Sequence, residues 1–90
     1  ISEKKLAQQV SIYPIPANDK LFIDFKKNII VEEVFLTNMN GISHKIDFNI
    51  VDNSAMLNVS QLAKGIYILK LVTTNGVLHH KILIEKIDKN

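Results

Sequence analysis

The stretch that decides the fold is residues 62–73, which read Leu-Ala-Lys-Gly-Ile-Tyr-Ile-Leu-Lys-Leu-Val-Thr. From residue 66 onward the stretch is almost wholly apolar and rich in β-branched side chains, which fit a pleated strand better than a helix. A short apolar run without a polar face predicts a central strand that is covered on both faces. The stretch therefore indicates a β protein with this strand in the middle of its core.

Three residues near the start of this strand predict how the strand and its preceding loop are fixed at the end of the sandwich. Leu62 can plug the end of a sandwich, and Gly65 can take a backbone conformation that is closed to other residues. Tyr67 can bury its ring while its hydroxyl reaches back to the preceding loop, as the tyrosine corner of Greek-key sandwiches does. These features predict a fold and say nothing about function by themselves.

Further short strands are predicted on both sides, separated by turn signals such as Asn40-Gly41 and Asn75-Gly76. The seven predicted strands are residues 9–13, 21–25, 30–37, 42–48, 55–59, 66–73 and 77–86. Strands spaced about ten residues apart predict an all-β fold. The expected architecture is a seven-stranded antiparallel Ig-like two-sheet sandwich with essentially no helix.

Apolar side chains alternate along these strands, which predicts the face that each strand buries. The predicted inward-facing residues are Leu21, Ile23, Phe25, Val34, Leu36, Ala55, Leu57 and Val59. In the predicted strand 42–48, the apolar side chains Ile42, Ile46 and Phe48 share one face with His44.

Length and composition argue against several classes of protein. The 90 residues suffice for one domain, and 47% apolar with 22% charged residues fits a packed globular chain. The net charge is +2, and all 11 basic residues are Lys. Since Arg is the side chain that grips phosphates and guanine edges with paired hydrogen bonds, its absence argues against a nucleic-acid partner. Without cysteine the chain has no disulfide and no Cys-ligated zinc.

The chain is expected to be one domain with short flanking segments. No apolar run approaches the roughly 20 residues that a bilayer span needs. No signal peptide is visible, and the sequence begins at Ile1 rather than Met, as in a piece of a longer chain. The expected division is a linker remnant at residues 1–9, the folded domain at residues 10–86 and a tail at residues 87–90.

No set of side chains predicts catalysis or metal binding. His79 and His80 are neighbours on a predicted strand and point to opposite faces, so they cannot share one ion. His44 can meet one of them, but no Cys and no suitably spaced carboxylate completes a tetrahedral set. Glu32 and Glu33 diverge on their strand for the same reason. We therefore expect no enzyme activity, no catalytic residue, no metal and no cofactor.

Four short motifs occur in the order found in one protein family. They are residues 11–17 (Ser-Ile-Tyr-Pro-Ile-Pro-Ala), Asn40-Gly41, residues 62–70 (Leu-Ala-Lys-Gly-Ile-Tyr-Ile-Leu-Lys) and residues 80–86 (His-Lys-Ile-Leu-Ile-Glu-Lys). Together they resemble the type A C-terminal sorting domain of the type IX (Por) secretion system of Bacteroidetes. The resemblance covers residues 10–86, nearly the whole chain.

The resemblance implies an address rather than a chemical reaction. Such a domain lies at the C-terminus of a cargo protein that enters the periplasm with its own signal peptide. The outer-membrane translocon recognises the domain, and a sortase-like peptidase commonly removes it in the upstream linker, here residues 1–9. The cargo is then secreted or attached to the cell surface. The implied partners are the translocon, the peptidase and the upstream cargo domain, with no nucleic acid and no small-molecule substrate.

The resemblance also implies where the sorting signal lies. Carried over by position, the signal residues are Pro14, Pro16, Gly41, Leu62, Gly65, Tyr67, Lys81 and Lys86. Of these, the two prolines and Gly41 are expected to shape the fold.

One alternative to a sorting domain explains a sandwich equally well. It is an Ig-like adhesion or carbohydrate-binding module of a surface protein. Sugar-binding faces usually display exposed aromatic side chains. Only four aromatic residues, Tyr13, Phe22, Phe35 and Tyr67, lie outside the clearest predicted core positions.

Overall fold

The chain folds into eight strands and one short helix within residues 3–26 and 28–86, which are the residues that the computed structural model describes. The helix is α1 (Glu3–Ala7). The strands are β1 (Val10–Tyr13), β2 (Lys20–Phe25), β3 (Val31–Asn38), β4 (Ser43–Lys45), β5 (Phe48–Val51), β6 (Ser54–Asn58), β7 (Gly65–Thr73) and β8 (Gly76–Ile84). The predicted tail at residues 87–90 lies outside the described residues.

The strands form two antiparallel sheets of four, with the orders β1-β2-β6-β5 and β4-β3-β7-β8. Apolar side chains from both sheets join in one buried cluster between them. The prediction of an all-β antiparallel two-sheet sandwich is confirmed, and the strand order is compatible with an Ig-like arrangement. No helix in the described part of the chain has the length and apolar character needed to cross a membrane.

The predicted number of strands, seven, is wrong because the predicted strand 42–48 is divided between the two sheets. β4 pairs with β3, and the chain then crosses to the other sheet, where β5 pairs with β6. Buried Ile46 anchors the crossing, since its N–H donates to the Val34 carbonyl over 2.8 Å. The alternation from Ile42 to Phe48 does not indicate this crossing. Because the strand is divided, Ile42 and His44 do not share a buried face with Ile46, and both are exposed while Ile46 is buried.

The predicted inward faces of the other strands are confirmed. The predicted inward-facing residues that are buried are Leu21, Ile23, Phe25, Val34, Leu36, Ala55, Leu57 and Val59. β7 lies between β3 and β8, so its central position is also confirmed. The prediction that β7 is covered on both faces is wrong, because Ile66 and Ile68 are 40% and 38% exposed on its outer face. The apolar run therefore contains one buried face and one open face.

Helix α1 is the element that the sequence analysis did not anticipate. It is five residues long and lies within the segment expected to be a linker remnant. Leu6 is 0% exposed and belongs to the core cluster. Glu3 binds the middle of β8, where its carboxylate accepts a 3.0 Å hydrogen bond from the His79 backbone N–H. Such a short helix is stable only through packing of this kind.

Candidate functional site

Sequence motifs that are far apart in the chain meet at one end of the sandwich. In the sheet register, Gly65 at the start of β7 lies opposite Ile84 at the end of β8. Asn38 at the end of β3 lies opposite Tyr67. The hairpin turn after β3, the loop before β7 and the end of β8 therefore share this end. We call it the motif end and define it by Ala17, Gly41, Leu62, Gly65, Tyr67 and Lys86.

Tyr67 fixes the loop that leads into β7. Its side chain is 4% exposed, and its hydroxyl donates a 2.7 Å hydrogen bond to the Ala63 carbonyl. This is the predicted reach back to the preceding loop. Leu62, in the same loop, is partly buried and packs against the core cluster. Both side chains therefore contribute to the stability of the motif end.

Two glycines provide backbone conformations that other residues rarely adopt. Gly65 has φ +151° and Gly41 has φ +83°. A Cβ atom built on either would meet nothing within 4 Å. The requirement for glycine is therefore conformational rather than steric. At the hairpin, the Asn38 side chain supports the turn by accepting 2.9 Å hydrogen bonds from the N–H groups of Asn40 and Ile42.

Ala17 connects the two sheets and was missed by the sequence analysis. Its N–H donates to the Leu83 carbonyl and its carbonyl accepts from the Glu85 N–H, both over 2.8 Å. Ala17 is 1% exposed, whereas Pro14 and Pro16 just before it are exposed. The prolines therefore lie on the surface and lead into a buried contact. A single alanine after two prolines carries no local signal of a bond made 66 residues later with Leu83.

Lys86 uses its charge within the domain. Its ammonium donates to the carbonyls of Asn18, Val59 and Ser60 over 3.0, 3.2 and 3.2 Å. Those carbonyls lie just before β2 and just after β6, whereas Lys86 follows β8 of the other sheet. All three donors of the ammonium are satisfied, so Lys86 ties the sheets together at the motif end.

Lys81 has the opposite environment. It is exposed on β8, opposite Ile68 in the register, and no hydrogen bond or ion pair of its side chain occurs among the described residues. Ile66 lies opposite Leu83 on the next pair. Even-numbered Leu78, Ile82 and Ile84 point into the core, which puts Lys81 and Leu83 on the outer face. We call Ile66, Ile68, Lys81 and Leu83 the outer patch.

A groove of about 500 Å³ lies at the motif end and is lined by residues 64–65 and 83–86. Its ionisable lining groups are Lys64, Glu85 and Lys86. These lining residues include no histidine, serine or threonine. Elsewhere, the described residues contain no group of three acidic or histidine side chains that can hold a metal ion. His79 instead bonds Glu3, with 3.2 Å between Nδ1 and Oε1.

The fold and motifs agree with a comparison against known families. The family model described as the secretion system C-terminal sorting domain matches residues 11–85, which is most of the chain. No curated protein matches the chain. Nothing in these comparisons supports the adhesion or carbohydrate-binding alternative. Members of the matched family are in general non-catalytic. The chain belongs to the C-terminal sorting domain family of the type IX secretion system, and it is a signal for export across the outer membrane to the surface or the medium.

Proposed function

We propose that the domain is a non-catalytic address in which the motif end maintains the fold and the outer patch is recognised by the outer-membrane translocon. One observation carries this proposal. The outer patch combines exposed apolar side chains on a central strand with a lysine, Lys81, that has no partner among the described residues. A receptor that covers this patch gains apolar contact and a charge pair.

Most of the motif residues are already engaged within the domain. The Tyr67 ring is buried, and the Lys86 ammonium makes three hydrogen bonds to backbone carbonyls. Gly41 and Gly65 have no side chain to present. These residues act on recognition by holding β7 and β8 in place, so the side chains that a receptor reads are their neighbours in the outer patch.

The chemistry of the outer patch favours a protein surface with an apolar centre and an acidic side chain. Burial of Ile66 and Ile68 contributes about 25 cal/mol for each Å² of apolar surface removed from water. The charge of Lys81 adds orientation and specificity more than affinity. Raising the salt concentration should therefore weaken binding only mildly, since a single lysine is involved rather than a polycationic patch.

The remaining partners follow from the family. We propose that an upstream cargo domain precedes the sandwich and that a sortase-like peptidase separates the two after export. With 11 lysines, no arginine and a net charge of only +2, the chain has none of the features of nucleic-acid recognition. We propose no small-molecule substrate, because the Lys86 ammonium in the motif-end groove already donates to three backbone carbonyls of the domain.

An export assay tests this function. A fusion of a signal peptide, a fluorescent reporter and residues 1–90 is expressed in a host with the type IX system, and reporter fluorescence is measured outside the cells. Lys81→Gln and Ile68→Thr should each lower export severalfold. The matched controls are Lys26→Gln, just after β2, and Ile50→Thr on β5, which change exposed residues away from the outer patch.

Two results would contradict the proposal. A folded wild-type fusion that stays in the periplasm would show that the domain does not act as an export address in this host. Normal export of both outer-patch variants would show that the translocon reads another surface. Circular dichroism of each purified variant checks that the sandwich is retained.

A further inference from the structure

Helix α1 is attached to the sandwich by two independent contacts. The Leu6 side chain is 0% exposed and packs within the core cluster. Glu3, one turn earlier, accepts a 3.0 Å hydrogen bond from the His79 N–H through Oε2 and approaches His79 Nδ1 to 3.2 Å through Oε1. An apolar anchor and a polar anchor on successive turns hold the helix in one orientation against β8.

These contacts also cover a sheet edge. β8 is the last strand of its sheet, so its outer edge has no strand neighbour among the described residues. Glu3 occupies that edge at His79, and Ala17 occupies it further along at Leu83 and Glu85. Open strand edges pair readily with other chains and are commonly protected in native proteins. Helix α1 is therefore one of two elements that protect the edge of β8.

We infer that α1 is an integral part of the exported domain and that the separating peptidase cuts N-terminal to Glu3 rather than within residues 3–9. This inference rests on the proposed function, since it concerns the peptidase that removes the domain. Hydrolysis adds water across one peptide C–N bond and leaves a carboxylate on the cargo and an amino group on the domain. Proteases act on exposed, locally unfolded chain. The docked helix with buried Leu6 is not such a substrate.

A cut after α1 would also damage the product. It would remove Leu6 from the core and leave a cavity lined by apolar side chains. It would remove Glu3 from the edge of β8 and leave the His79 N–H open to strand pairing. A cut before Glu3 causes neither change, because both anchors stay on the domain.

Limited proteolysis tests whether α1 is docked and needs no secretion host. Trypsin cleavage after Lys4 and Lys5 is followed by mass spectrometry in the 90-residue protein and in a peptide of residues 1–12. The protein should be cut at these sites at least about tenfold more slowly than the peptide, because cleavage requires local opening. Cleavage after Lys64, exposed in the loop before β7, serves as the internal reference.

Variants identify the contact that gives this protection. Leu6→Ala should lower the protection of Lys4 and Lys5 by about tenfold, and Glu3→Gln should lower it less, each measured against a peptide with the same change. Gln8→Ala changes an exposed residue after the helix and should leave the protection unchanged. Equal cleavage rates in the wild-type protein and peptide would overturn the inference.

The export assay locates the cut itself. The domain released by the wild-type fusion should begin at Glu3 or at a residue before it. A released domain that begins within residues 4–10, or an exported fusion that is never cut, would overturn the inference and leave the sorting function standing. A fusion that is not exported would contradict the sorting function, and the proteolysis experiment would still decide whether α1 resists cleavage.

Discussion

The motif end and the outer patch differ in how they use similar residues. Lys86 at the motif end donates to three backbone carbonyls, whereas Lys81, five positions earlier, has no partner among the described residues. Tyr67 is buried, while Ile66 and Ile68 on either side of it face outward. The motif end is satisfied internally and the outer patch is not.

This difference separates two roles that a sequence motif does not distinguish. A residue can recur in a signal because a receptor contacts it or because it holds the contacting surface in shape. The hydrogen bonds of Tyr67 and Lys86 support the second role, and the exposure of Lys81 supports the first. Changes at the motif end should therefore alter stability, whereas changes in the outer patch should alter recognition with little loss of stability.

The largest expected effect is at Tyr67. Tyr67→Ala removes a buried ring and should lower the free energy of unfolding by about 3–5 kcal/mol, out of about 5–15 kcal/mol for a typical domain. Tyr67→Phe removes only the hydrogen bond to Ala63 and should cost about 1 kcal/mol. Urea denaturation of the isolated domain measures both. Equal stability of the wild type and the Ala variant would mean that the motif end is not held by this residue.

The next effect contrasts the two lysines directly. Lys86→Met keeps the aliphatic stem but removes three hydrogen bonds, and should lower the free energy of unfolding by about 1–3 kcal/mol. Lys81→Met is the matched control and should change it by less than about 0.5 kcal/mol. The same denaturation experiment measures both variants. If the two substitutions cost the same, the distinction between a structural lysine and a free lysine fails.

A smaller effect is expected within the outer patch. Ile66→Thr and Ile68→Thr keep β-branched side chains on an exposed face, so each should lower the free energy of unfolding by only about 0.5 kcal/mol. Thermal melting followed by circular dichroism measures the change. A loss as large as that of Tyr67→Ala would show that these side chains are buried and that the outer patch is part of the core.

The smallest effect concerns α1 and pH. The hydrogen bond from the His79 N–H lowers the pKa of Glu3 below its ordinary value of 4.5. A carboxylate whose pKa is lower in the folded state contributes stability above its unfolded pKa, and this contribution is lost as the pH falls through the folded value. The His79 amide should therefore lose protection below about pH 4.5, measured as its hydrogen-exchange rate relative to that of an unstructured peptide at the same pH. Glu3→Gln should remove this pH dependence, and a variant that keeps it would assign the effect to another group.

Much of the fold was predictable because β structure leaves local signs. Period-two alternation gave the buried faces of β2, β3 and β6, and the Asn-Gly turns marked the hairpins. The division of the predicted strand 42–48 was not predictable. Both pieces show the same alternation of apolar and polar side chains, and the crossing depends on where Ile46 packs. Helix α1 was missed for a related reason, since Leu6 is a lone apolar residue whose burial depends on a surface supplied by distant strands.

The site was predictable in its residues and not in their roles. Gly65 and Tyr67 act through their own backbone and through a carbonyl four residues away, so their roles can be inferred from local spacing. Lys81 and Lys86 look equivalent in the sequence, and nothing near either residue indicates which one is bonded. The Lys86 partners come from residues 18, 59 and 60, which only the packing of one sheet on the other brings within reach.

The sequence by itself therefore determined the class of fold, the buried face of most strands, the tyrosine corner and the family. These properties depend on periodicity, turn chemistry and short motifs, which act over a few residues. The tertiary structure alone decided that Ala17 joins β8, that Lys86 binds the opposite sheet and that α1 covers the edge of β8. Each of these contacts joins residues 26 or more positions apart, and such pairs are selected by the packing of the whole sandwich rather than by local propensity.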